Sequence, residues 1–305
     1  MISIAALLMM TVSTSTPLIF AALGGVVSEK SGVTNIGIEG MILMGAFAAM
    51  VGSYYTKSPV VGIFLAIIAG GILASIHAFI AITCGGPQAV SATGLVLFSS
   101  GFTTFGLRMI FDRAGSSDIV NYLPNTPILK SIPVIGETLS KFSPFVYIAF
   151  ICVIITTYIF YKTPIGMRIN AVGENPKVAE TLGIDVWKIR WSCVVISGML
   201  AGLGGAYLSI GQMNLFQENM SAGRGFLAMA AVILGRWKPQ GAFLAALFFG
   251  FFEALQLQIQ LLPNVPVSPI LIQSIPYVMC LLVLLLSGSK AKGPASNGVP
   301  YLKRH

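Results

Sequence analysis

Glu253 is the residue whose surroundings ask most for an explanation. It is the single charge in the apolar run 241–258. Insertion scales charge roughly 2.5–3.5 kcal/mol for Asp, Lys or Arg at the centre of a spanning helix, and a carboxylate should be of similar order. Something must therefore compensate it. Gln256 and Gln258 follow in the same run and would form a polar stripe with it near one end. Such a group either lines a solute pathway or bonds a neighbouring helix. Glu39, beside Gly37 and Gly40, poses the same question at the start of another apolar run. There a helix N-terminal dipole favours a carboxylate, so with Asn35 it is expected to order the local chain ahead of touching a solute. His77 is first a satisfied packing residue and second a pathway group. Phe102, Phe105 and Tyr122 offer faces on which a planar base or sugar could stack, although such aromatics commonly anchor or pack spanning helices.

Several other chemistries are not expected. Cys84, Cys152, Cys193 and Cys280 lack metal-ligand spacing, and the only histidines are His77 and His305, so neither a zinc site nor a disulfide framework is expected. The cluster Gly198, Ala201, Gly202, Gly204 and Gly205 is not followed by the Gly-Lys-Ser/Thr of a phosphate loop. Small residues at that spacing instead suit tight helix packing or a subunit contact. No catalytic cluster is visible, so the chain is expected to be no enzyme and to bind no cofactor directly.

These residues must be positioned by membrane-spanning helices. Only 9% of the 305 residues are charged and 55% are hydrophobic, against roughly 25% charged in a soluble domain. The apolar runs, taken between polar or Pro/Gly breaks, lie at 2–27, 37–54, 59–84, 88–108, 144–162, 191–212, 223–236, 239–259 and 267–287. They predict an all-α polytopic membrane protein of about 8–10 transmembrane helices. The first 28 residues hold no Lys or Arg, so they read as a retained span and not as a signal peptide. The seventh run is short, and both it and the 31–40 stretch are candidates for re-entrant chain shielded from lipid. The net charge of +8 is scattered between spans, which fits membrane topology and not nucleic-acid binding. With the 163–190 loop placed inside, twelve Lys and Arg residues fall on the cytoplasmic side. Six, including Lys57 and Arg224, fall outside. That assignment gives an external N-terminus, an internal C-terminus, a long external loop at about 110–143 and a disordered cytoplasmic tail at 288–305. The loop, with Pro124, Pro127, Pro133 and Gly136, is either a partly ordered lid or plain solvated chain.

The 163–190 loop has strong local signals. Asn175 is a helix cap, Pro176 suits a first helical position, and Gly183 suits a left-handed stop. The spacing predicts a short helix over 176–182, with Val178, Ala179 and Leu182 on one face. Held between two spans, it is either a rigid knob for a soluble partner or an amphipathic connector lying on the bilayer.

The stretch GVVSEKSGVTNIGIEG at 25–40, together with Thr163-Pro-Ile-Gly166, Arg168, Ala171-Val-Gly173, Asn175, Ala179 and Gly183-Ile184, resembles the permeases of bacterial ATP-binding cassette importers. The similarity is to the branched-chain amino acid and simple-sugar group, and within it to the nucleoside or simple-sugar branch. It runs from about Gly24 to Leu286. The resemblance implies a coupling helix docking into a cytoplasmic ATPase through Arg168, Gly173, Asn175, Pro176, Ala179 and Gly183. Glu180 stands where a second small residue is usual. It further implies ATP used by partner ATP-binding subunits, a second homologous permease in a heterodimer, an external substrate-binding lipoprotein, and a place in the bacterial cytoplasmic membrane among its lipids. Cargo would be a nucleoside or simple sugar. The alternatives are a branched-chain amino acid permease, or an ion-coupled secondary transporter using Glu253, Glu39 or His77.

Overall fold

The computed structural model describes residues 4–124, 140–261, 268–287 and 292–301. Its helices are α1 (Ile4–Lys30), α2 (Ile38–Thr56), α3 (Pro59–Ala78), α4 (Gln88–Phe111), α5 (Pro144–Lys162), α6 (Pro164–Glu174), α7 (Pro176–Thr181), α8 (Val186–Ala206), α9 (Arg224–Leu234), α10 (Pro239–Gln260), α11 (Pro269–Gln273) and α12 (Ile275–Ser287). Wider π turns prolong α3 through Phe79–Thr83 and α8 through Tyr207–Met213. Proline opens α3, α5, α6, α7, α10 and α11, where its fixed φ suits the first turn and its missing N–H costs nothing. Ser116 and Gln217 form the only isolated bridge among the described residues.

Seven of these helices are long and apolar enough to cross a bilayer, so the chain is an all-α, multi-pass membrane protein. The two remaining apolar runs deviate for physical reasons. Helix α9 has 11 residues, about 16 Å of rise, too little for a full crossing. The last run breaks at Ser274 between α11 and α12. Pro276 has no N–H, and its ring would clash with the carbonyl of Ile272 if the helix continued.

Helices α1, α2 and α8 form the buried centre, with α3, α10 and α9 packed around them. The glycine cluster of α8 makes this packing possible. A Cβ at Gly205 would lie 2.0 Å from the Ile42 carbonyl oxygen, and one at Gly198 would lie 2.4 Å from that of Gly70. One at Gly202 would lie 2.3 Å from the Ala66 carbonyl oxygen. The cluster therefore packs α8 on α2 and α3 within the chain.

After α1 the chain turns back into the bundle, as the sequence suggests for 31–40. Arg190 Nε donates to the Ser31 carbonyl at 3.1 Å, and Asn35 Nδ2 donates to Ser197 Oγ at 3.1 Å. Arg190 and Ser197 are separated by about 10 Å along α8, so residues 31–35 climb that far inward. Their non-helical backbone is satisfied by protein. Ser28 Oγ donates to Val33 O at 2.7 Å, Thr34 N donates to Gln88 Oε1 at 2.8 Å, and His77 Nε2 pairs with Thr34 O at 3.1 Å.

The tail expected to be disordered is instead docked over 292–301. Ser296 N donates to Gly173 O at 2.9 Å, Thr34 Oγ1 donates to Asn297 Oδ1 at 3.0 Å, and Arg190 Nη1 donates to Val299 O at 3.2 Å. Composition suggests disorder, but this segment is bonded to Gly173, Thr34 and Arg190 at the end of the bundle that carries α6 and α7. The 110–143 loop, expected to be external, is described only at its edges. There Ser117 N, Val120 N and Leu123 N donate to the carbonyls of Phe216, Asn214 and Ile210, so 117–123 lies along the end of α8. Pro127, Pro133 and Gly136 lie outside the described residues.

Candidate coupling face and polar interior

The 163–190 loop builds two helices where one is expected. Thr163 Oγ1 accepts from Gly166 N at 3.4 Å and Pro164 opens α6, a helix that the Thr-Pro pair signals but that the 176–182 prediction leaves out. Asn175 Oδ1 then accepts from Val178 N at 3.2 Å, and Gly183 adopts φ +79° just past α7. Asp185 Oδ1 caps α8 by accepting from Lys188 N at 3.0 Å, which starts that span five residues earlier than expected.

The three apolar residues of this short helix do not share one face. Ala179 is buried between Val172 and Val186, whereas Val178 is 53% and Leu182 73% exposed. Ala179 fastens the knob to α6 and α8, which leaves Val178 and Leu182 projecting. Gly173 is also a packing residue, since a Cβ there would lie 2.0 Å from the Lys30 carbonyl oxygen. Arg168 and Asn175 are exposed and Pro176 is half-buried. Beside α7 lies a groove of about 640 Å³ lined by Glu180, Gly183, Ile184, Trp187, Trp191 and Tyr301 among others. The Tyr301 hydroxyl donates to the Glu180 carboxylate, joining tail and knob. That bond, followed by desolvation, holds the phenol above its ordinary pKa.

The polar interior is organised by α9. Glu39 accepts from Gly223 N at 2.8 Å and from Gly225 N at 2.6 Å, so its carboxylate caps the N-terminus of α9 while sitting in the first turn of α2. Two helix N-termini thus converge on one buried carboxylate, the arrangement their dipoles favour. Gly225 has no room for a side chain, since a Cβ would lie 2.5 Å from the Glu39 backbone. Asn35 does not join Glu39. It serves Ser197 instead.

Glu253 finds its compensation in Arg224, a residue that the charge count places outside. Arg224 Nη2 is ion-paired with Glu253 Oε1, and Arg224 Nη1 donates to Met220 O at 2.9 Å. Both residues border a cavity of about 290 Å³ together with Gln256 and Tyr277. The stripe expected with Gln258 divides, because Gln258 Nε2 turns to Met10 Sδ at 3.6 Å. His77 is fully buried, with Nδ1 paired to Ser91 Oγ at 3.0 Å and Nε2 to Thr34 O. It braces the re-entrant turn. Phe102 packs edge-on against Phe47 and stacks on Phe98.

Two buried charged residues have structural roles that sequence reasoning misses. Arg190, only 2% exposed, gathers Ser31, Ser296 and Val299. Glu29 accepts from Trp237 Nε1 and from Asn297 Nδ2, tying α1 to the α9–α10 turn and to the tail. The one available signal is the presence of a Glu and an Arg bordering apolar runs.

The bundle of spanning helices, with the short α9, the inward turn at 31–35 and the capped α7 between spans, is a polytopic membrane architecture. Residues 7–287 match the family described as "Branched-chain amino acid transport system / permease component", and the chain belongs to it. Among curated proteins it is similar to the nucleoside ABC transporter permease protein NupC of Lactococcus lactis subsp. cremoris, at 37% identity over 95% of this chain and 94% of that one. It is 38% identical to the guanosine ABC transporter permease protein NupQ of Bacillus subtilis, over 94% and 93%. Similarity to the putative glucose ABC transporter permease protein TsgC13 of Haloferax volcanii is 35%, over 88% and 83%. In each of the two bacteria a second nucleoside or guanosine permease protein also matches, at lower identity. No solved structure matches the chain significantly.

Proposed function

We propose that this chain is the membrane-spanning permease subunit of an ATP-binding cassette importer in the bacterial cytoplasmic membrane, and that its cargo is a nucleoside. The observation that carries this reading is α7. It is capped at both ends, fastened by Ala179, and presents Val178 and Leu182 outward between two spanning helices. A knob so braced transmits a push from a soluble motor, whereas a connector floating on lipid needs no such bracing. ATP is hydrolysed by separate subunits that grip α7.

The names of the relatives favour a nucleoside, with a simple sugar as the second reading because one of them is named for glucose. A heterodimer is favoured because two bacteria each hold two distinct matching permease proteins. An external binding lipoprotein delivers the solute. The test is reconstitution of this chain with a second permease and candidate ATPase subunits. ATP-dependent uptake of guanosine that is lost with Asn175→Ala plus Gly183→Val supports the proposal. Uptake by the permease alone, driven by a proton gradient, refutes it.

A further inference from the structure

Glu253 is 7% exposed and lies about 20 Å along α10 from Pro239 and about 10 Å from its other end at Gln260, within a helix long and apolar enough to cross a bilayer. One of its oxygens is held by Arg224. The other, Oε2, and Arg224 Nε have no hydrogen-bond partner among the described residues. Both residues line the cavity of about 290 Å³, with Gln256, Leu257, Gln273 and Tyr277. Buried polar atoms left unpaired are costly and rare, and in a bilayer an ionisable pair of this kind marks a solute path. The volume is at the lower end of small-molecule sites.

The chemistry of the lining narrows the occupant. Arg224 and Glu253 neutralise each other, so the cavity attracts neither an anion nor a cation by net charge. It offers a carboxylate oxygen to accept, a guanidinium N–H to donate and a Gln256 amide to do both. Leu257 and the Tyr277 ring supply an apolar flank, since the Tyr277 hydroxyl is already given to the Ala222 carbonyl. Adjacent donors and acceptors beside an apolar wall suit a ring bearing several hydroxyls. We propose that this cavity is a solute station within the membrane, taking the ribose of a nucleoside or a simple sugar through Glu253 Oε2, Arg224 Nε and Gln256. It rests on the importer reading and adds where in the chain the cargo is held.

The test uses the assembled complex in proteoliposomes. Gln273→Cys, a lining position outside the three proposed contacts, is made with Cys84, Cys152, Cys193 and Cys280 replaced by serine and is labelled with a membrane-impermeant thiosulfonate. This variant keeps Gln256 and the native Arg224–Glu253 pair. Guanosine or glucose is expected to slow labelling at least threefold, and leucine is not. Adding Glu253→Gln should raise the protecting concentration about tenfold, the loss of one hydrogen bond to a charged group. Labelling indifferent to all three solutes, protection by leucine alone, or a protecting concentration unmoved by Glu253→Gln overturns the station. ATP-dependent guanosine and glucose uptake is followed in parallel. Uptake with an unprotected cysteine overturns the station alone, whereas uptake of neither solute overturns the importer reading with it.

Discussion

Replacing Val178 and Leu182 together by serine separates the docking of α7 from its folding. Both side chains project from the knob at 53% and 73% exposure, so neither supports the permease itself. Fully burying a Val or Leu contributes roughly 1.5–3 kcal/mol. Scaled to the exposed fraction, each offers a partner about 1–2 kcal/mol. The double variant should therefore lose about 2–4 kcal/mol of association, roughly 30-fold to several-hundred-fold in affinity per knob. Titration of the purified ATPase subunit against detergent-solubilised permease measures this directly, and a melting curve of the permease alone serves as the control. The expected result is lost capture and lost uptake with unchanged melting. Wild-type affinity and uptake in the double variant would show that α7 is not the handle. A contrasting variant, Ala179→Leu, should lower the melting point instead, because Ala179 is 1% exposed against Val172 and Val186.

Three further outcomes follow from the interior. Glu39→Ala removes two charge-assisted bonds and orphans the Gly223 and Gly225 amides inside the membrane, a loss of about 3 kcal/mol or more. Thermal unfolding in detergent should fall by ~5 °C or more, and unchanged melting would contradict the cap. Gly205→Leu should abolish a monodisperse chromatographic peak, since the Cβ alone meets the Ile42 carbonyl at 2.0 Å, while Gly94→Ala, with nothing within 4 Å, should not. Removing residues 288–305 should destabilise the protein by about 2–3 kcal/mol, because the buried Arg190 loses Ser296 and Val299 and keeps Ser31. Calorimetry or a fluorescence melt checks the last, and an unaltered transition would mean that the tail contributes nothing.

Features settled within a few consecutive residues are legible in the amino-acid sequence alone. Nine apolar runs locate the seven span-capable helices and the two shorter apolar ones among the described residues, because burial in lipid demands an unbroken stretch of apolar side chains whatever the neighbours are. Asn175, Pro176 and Gly183 announce α7 for the same reason, since capping and left-handed backbone depend only on adjacent positions. The Thr163-Pro164 pair carries an equal signal for α6, partly hidden because it directly abuts the end of α5. Composition misleads at the tail, where Gly, Ser and Pro read as disorder but 292–301 finds partners on Gly173, Thr34 and Arg190.

Tertiary structure decides what pairs with what. Glu253 is plainly in need of a partner, yet nothing near it in sequence identifies Arg224, 29 positions away on another helix. Glu39 advertises a helix N-terminus, and its own helix is the obvious one. The N-terminus that it actually caps belongs to α9, 184 residues on. Ala179 and Val178 are adjacent and similarly apolar, and only the packing of α6 and α8 shows that one is fastened inward and the other left outside. The division has one physical cause. Hydrophobic length and capping are properties of a few consecutive residues, whereas neutralising a buried charge depends on which distant helix arrives beside it.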